Sequence, residues 1–73
     1  MKFLQDYTVV IRPDDNNTFV AYVPAIEGCH AWGETFEAAR LELDNVFLMI
    51  QEEYQEMNLS LPQDVELVIA NAS

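Results

Sequence analysis

The residues best suited to chemistry in this 73-residue sequence are its lone cysteine and lone histidine, and they are neighbours, Cys29 and His30. A thiol beside an imidazole suggests a nucleophile with its base, or two metal ligands. The spacing argues against both. Adjacent residues on an extended chain point to opposite faces, so the two side chains do not converge on one proton or one ion. Structural zinc needs four ligands, and neither C-x-x-C nor a paired-histidine spacing occurs. The carboxylates offer a second possibility, a divalent-metal cluster for nucleotidyl transfer. Asp14 and Asp15 fall in a turn, however, and Glu37, Asp44, Glu52 and Glu56 on the outer side of a helix, where a solvated acidic face accounts for them. With 2 glycines in the chain there is no phosphate cradle, and no G-x-S-x-G elbow or EF-hand spacing appears. The expectation is a non-enzyme with no metal and no cofactor.

Charge is the strongest compositional signal. Thirteen Asp and Glu against 3 Lys and Arg leave a formal net charge of -10. Such a body repels polyanions, and Lys2, Arg12 and Arg40 are too scattered to form a basic patch, so direct nucleic-acid or anionic-membrane binding is not expected. A basic protein would be drawn in, which suits a masker of a nucleic-acid enzyme; solubility alone explains the charge equally well. Hydrophobic residues make up 51% of the chain, enough for a packed core and too many for an acidic disordered segment. The length fits a single domain over 1–73. One cysteine excludes an internal disulfide, and no signal-peptide core or membrane-length apolar run is present, so a cytoplasmic protein is expected.

The elements that must position these residues follow from periodicity. Tyr7, Val9 and Ile11 alternate with Thr8 and Val10, predicting a first strand over Phe3 to Arg12. Pro13 and the acidic, amide-rich run Asp14 to Asn17 reverse the chain through a loop of about five residues. A second strand follows over Thr18 to Val23. Pro24 to Gly28 is a loop, and Cys29 to Trp32 a short third strand closed by Gly33. Thr35 is a helix N-cap, with Glu37 in the first turn. From Phe36 to about Met57 the period becomes helical, with Phe36, Ala39, Leu43, Val46, Phe47, Ile50, Tyr54 and Met57 on the core stripe. Asn58 stops the helix, and a last strand is predicted over Val65 to Ala70.

The architecture is thus α+β in the order β-β-β-α-β, an antiparallel sheet with one long helix on one face. The other face should carry Thr8, Val10, Val20, Tyr22 and Val68, a set too apolar for open water, which points to a partner chain or a homo-oligomer, dimer or tetramer. The candidate partner-binding residues are Val10, Val20, Tyr22, His30 and Trp32, together with Leu41 and Leu48, which sit together on the outer side of the helix. Tyr22 and Trp32 serve equally as interface anchors or as core.

Several stretches resemble the HicB-like antitoxin family over nearly the whole chain: Tyr7-Thr8-Val9-Val10-Ile11 before an acidic turn, Phe19-Val20-Ala21-Tyr22-Val23-Pro24, Gly28-Cys29, and Gly33-Glu34-Thr35-Phe36-Glu37-Ala38-Ala39. The resemblance implies a partial RNase H-like fold and an antitoxin that covers a small basic HicA-type toxin, an mRNA-cleaving ribonuclease. Family members often add a C-terminal DNA-binding domain; only three residues follow Ala70, so DNA binding is not carried over. The turn after the first strand has Asn16 and Asn17 where the family frequently has Gly. The alternative expectation is a homo-oligomeric structural or regulatory domain without a toxin.

Overall fold

The structure, a computed structural model, describes residues 2–65. It contains β1 (Val10–Asp14), β2 (Thr18–Tyr22), β3 (His30–Gly33) and the helix α1 (Phe36–Glu56), preceded by a 3-10 turn at Leu4–Asp6. The strands form one antiparallel sheet in the order β1-β2-β3, and α1 packs across one face of it. The fold is the expected α+β arrangement. The predicted last strand, apart from Val65, lies outside the described residues, as does Val68.

The start of the chain departs from the expected strand. Asp6 accepts a hydrogen bond from the Phe3 backbone N–H at 2.8 Å and closes a turn, so Leu4 and Tyr7, three apart, both point inward and are buried. Strand β1 therefore begins at Val10 and continues through Pro13 to Asp14. Proline is tolerated there because, among the described residues, β1 is an edge strand with no ladder bond on its outer side for the missing N–H to make. The hairpin loop shrinks to Asp15–Asn17, three residues rather than five. Asn16 and Asn17 adopt left-handed backbone, φ 64° and 59°, a conformation asparagine takes readily because its side chain bonds locally.

Helix α1 begins as its sequence directs. Thr35 Oγ1 accepts the Ala38 N–H at 3.0 Å, satisfying one of the orphan donors of the first turn. It ends at Asn58, whose φ of 56° lets Leu59 N–H reach Tyr54 O at 2.8 Å and Asn58 N–H reach Gln55 O at 3.1 Å, a Schellman closure. Of the predicted stripe, Ala39, Leu43 and Phe47 are fully buried, Val46 and Ile50 partly so, and Phe36 and Met57 are exposed. The mismatch is one of length. A 21-residue helix is about 31 Å long, whereas a five-residue strand spans about 17 Å, so the sheet is too short to cover the whole stripe.

The seam between helix and sheet is made of small residues. Ala21 and Ala31 face Ala39, Leu43 and Phe47 in the core, and Tyr7 meets Phe47 edge-on at 5.8 Å. A Cβ on Gly33 would lie 2.3 Å from the Ala39 backbone nitrogen. Only hydrogen fits between the end of β3 and the first turn of α1. Gln51 is buried, a position the periodicity did not mark, and donates to the Lys2 carbonyl at 3.0 Å. After the helix, Tyr7 Oη donates to the Pro62 carbonyl, and Asp64 accepts from Thr8 N–H at 3.0 Å and Thr8 Oγ1 at 2.9 Å. The last described residues thus lie against the β1 side of the sheet.

Gly33→Ala is expected to destabilise the fold by about 1–3 kcal/mol or more, since backbone must move to admit the methyl group. Thr35→Ala should cost about 1 kcal/mol through the lost cap. Urea unfolding measures both; a Gly33→Ala midpoint equal to that of the parent would contradict the close approach.

Candidate functional site

The face of the sheet opposite α1 is built by register. Val10 pairs with Tyr22 and Tyr22 with His30; Arg12 pairs with Val20 and Val20 with Trp32; Asp14 pairs with Thr18. Residues opposite one another across strands share a face, so these make three rows: Val10, Tyr22, His30; then Arg12, Val20, Trp32; then Asp14, Thr18. Five of the seven residues singled out from sequence, Val10, Val20, Tyr22, His30 and Trp32, are brought together here. Thr8 falls before the strand and is occupied by Asp64. Leu41 and Leu48 are exposed, but on the helix, which covers the opposite face, so they do not join this site.

Trp32 is 50% exposed yet held in place. Its indole Nε1–H donates to Asp14 Oδ2 at 2.8 Å, and the His30 ring meets it edge-on at 4.9 Å and 79°. A shallow hollow of about 500 Å³ opens beside it, lined by Val20, Tyr22, Pro24, Ile26, His30 and Trp32 among others. The loop above the hollow is set by Val23 N–H to Cys29 O at 3.0 Å and by Gly28, whose φ of 80° suits glycine. The face is less apolar than expected, with Arg12 and Asp14 at one end.

Turn chemistry over Asp14 to Asn17 predicts a loop position for Asp14, whereas the structure places it in β1 with its carboxylate on the Trp32 indole. The signal was present: Val10, Arg12 and Asp14 share one parity, which places Asp14 on the same face once β1 is extended through Pro13. The indole bond, then the Asp15 backbone and the Arg12 charge, hold the Asp14 carboxyl below the usual aspartate range. Hydrogen bonds from Thr8 do the same at Asp64, led by its backbone N–H.

Cys29 and His30 diverge. Cys29 is buried in the core and burial pushes its thiol pKa up, which keeps it protonated and a poor nucleophile. His30 is exposed on the open face. Among the described residues no three His, Cys, Asp or Glu side chains gather into a metal-sized group, and no helix is long and apolar enough to cross a membrane.

No family model matches the chain. It is 31% identical over 58 residues to the UPF0150 protein Ta0767 of Thermoplasma acidophilum, a match covering 80% of this chain and 84% of that relative. The chain belongs to the UPF0150 family. In this UPF0150 chain a pinned tryptophan, an exposed histidine and flanking aliphatic groups form a surface suited to contact: large rings held without conformational freedom lose little entropy on binding.

The Asp14 contact predicts a pH response. A carboxyl whose folded pKa is depressed contributes stability above its unfolded pKa, and that contribution is lost as pH falls through the lower, folded value. The Trp32 indole N–H resonance should therefore shift with a midpoint below the ordinary aspartate value of about 3.9, and Asp14→Asn should abolish that step. A midpoint at or above the ordinary value would contradict the contact.

Proposed function

We propose that this chain is a non-catalytic binding module of the antitoxin type, which neutralises a small basic HicA-type mRNA-cleaving ribonuclease by covering it with the open sheet face. The observation that carries the reading is that uncovered face, with Trp32 fixed upon it, on a body of net charge -10. Opposite charge raises the encounter rate with a basic partner, and the aromatic anchor supplies contact energy. The resemblance of the Val20-to-Pro24 strand, the Gly28-Cys29 step and the Gly33-to-Ala39 helix start to HicB-like antitoxins supports the same reading. In this role the protein works in the cytoplasm, contacts protein and not nucleic acid, and needs no cofactor.

A second reading, a homo-oligomeric structural or regulatory domain with no toxin, is favoured by a separate observation. Leu41, Leu48 and Met49 remain exposed on the helix, where the sheet-face contact leaves them uncovered, and such groups suit contacts between copies.

Co-purification from the native host tests the first reading. A basic protein should be captured at moderate salt and released at high salt, because surface charge attraction is screened. Trp32→Ala should weaken the complex by about 2 kcal/mol or more, the size of an interface hot spot, with the far-ultraviolet dichroism unchanged. Recovery of no basic protein under any salt condition, with light scattering reporting a stable oligomer, would replace the first reading with the second.

A further inference from the structure

The two edges of the sheet differ. Strand β1 carries Arg12, Pro13 and Asp14, residues that discourage pairing with another strand, and the chain near Asp64 lies against its start. Strand β3, His30-Ala31-Trp32-Gly33, has no proline, lysine or carboxylate. Its register decides which backbone groups face outward. Val23 N–H bonds Cys29 O, which marks Val23 and Cys29 as a hydrogen-bonded pair, and such pairs alternate along an antiparallel ladder. Ala31 with Ala21 and Gly33 with Phe19 continue that series. His30 and Trp32 are therefore the non-bonded positions, and their N–H and C=O groups point away from β2. The His30 N–H is taken by its own Gly28 carbonyl at 3.1 Å. Among the described residues, the His30 C=O and the Trp32 N–H and C=O have no backbone partner, and they form a short template for one more strand.

Charge selects the occupant. Two copies paired antiparallel about Ala31 would bring Glu34 of one beside Gly28 and Glu27 of the other, like charges opposed across a ladder on bodies already at -10. A basic strand meets the reverse situation, with Glu27 and Glu34 flanking the edge and Asp14 beside the indole.

We propose that β3 binds an extended, basic segment of a protein partner by strand addition, through Trp32 N–H, Trp32 C=O and His30 C=O. The inference rests on the basic-partner reading above and specifies how that partner docks. The residue opposite Trp32 exchanges hydrogen bonds with it and shares its face, so its side chain lies against the indole, where an arginine gains from the ring and from Asp14. Alternate residues point to the helix side of the sheet.

The probe is the peptide acetyl-Arg-Val-Arg-Val-Arg-Val-amide, followed by Trp32 fluorescence and by hydrogen exchange of the Trp32 amide in the whole protein. Binding is expected to protect the Trp32 amide. N-methylation of the three arginines should weaken binding roughly tenfold or more by removing ladder donors, whereas N-methylation of the valines should leave it within about twofold. The Glu-Val counterpart should not bind. Equal binding of both methylated peptides, no binding of the parent peptide, or protection of Trp32 that rises with protein concentration alone would each overturn strand addition at β3. Those outcomes leave the basic-partner reading standing if the host complex still forms and dissolves with salt. Loss of that host complex alone, with peptide binding intact, would instead remove the toxin and keep the edge.

Discussion

The seam between β3 and the start of α1 governs the rest of the molecule. Gly33 lets the Ala38 and Ala39 backbone come to within a distance that no side chain would allow, and Thr35 caps the helix two residues later. With the helix launched so close to the sheet, Ala39, Leu43 and Phe47 settle on the small residues Ala21 and Ala31. That packing commits one sheet face to the core. Everything of opposite parity is then left on the other side.

The open face follows from this commitment and from the short hairpin loop. Left-handed Asn16 and Asn17 turn the chain in three residues, which sets Arg12 opposite Val20 and Asp14 opposite Thr18. The same register brings the Asp14 carboxylate to the indole of Trp32, two strands away. An exposed aromatic ring is thereby held in one orientation, and the carboxylate that holds it adds to the acidic field that would attract the basic partner of the proposed role. In that role one small arrangement would supply both contact energy and charge steering. The outer edge of β3 borders the same indole, so strand addition there and contact on the face would engage Trp32 together.

Much of this was legible in the residues. The helix from Phe36, its Thr35 cap and its Asn58 stop were each signalled by local chemistry, because capping groups act within a turn or two of the chain. The membership of Val10, Val20 and Tyr22 in one surface was legible too, since period-2 alternation carries across strands of known direction, whereas His30 and Trp32 join them only through the register of β3 on β2. Other features were not. The 3-10 turn at Leu4 arises from Asp6 reaching back to Phe3, in competition with a run of strand-like residues, and the burial of Gln51 depends on the Lys2 carbonyl that meets it from the far end of the chain. The exposure of Phe36 and Met57 at the ends of the stripe depends on strand length, which periodicity on the helix cannot report.

The sequence by itself determined the acidic charge, the α+β order of elements and which side chains share a parity, because these depend on composition and on neighbours only a few residues apart. Tertiary structure alone decided that Asp14 belongs to the sheet and holds Trp32, that Leu41 and Leu48 stand on another surface, and that among the described residues β3 ends the sheet with the Trp32 N–H and C=O and the His30 C=O lacking a backbone partner. Those outcomes depend on register and on which element packs against which, and both are fixed by contacts between residues distant in the chain.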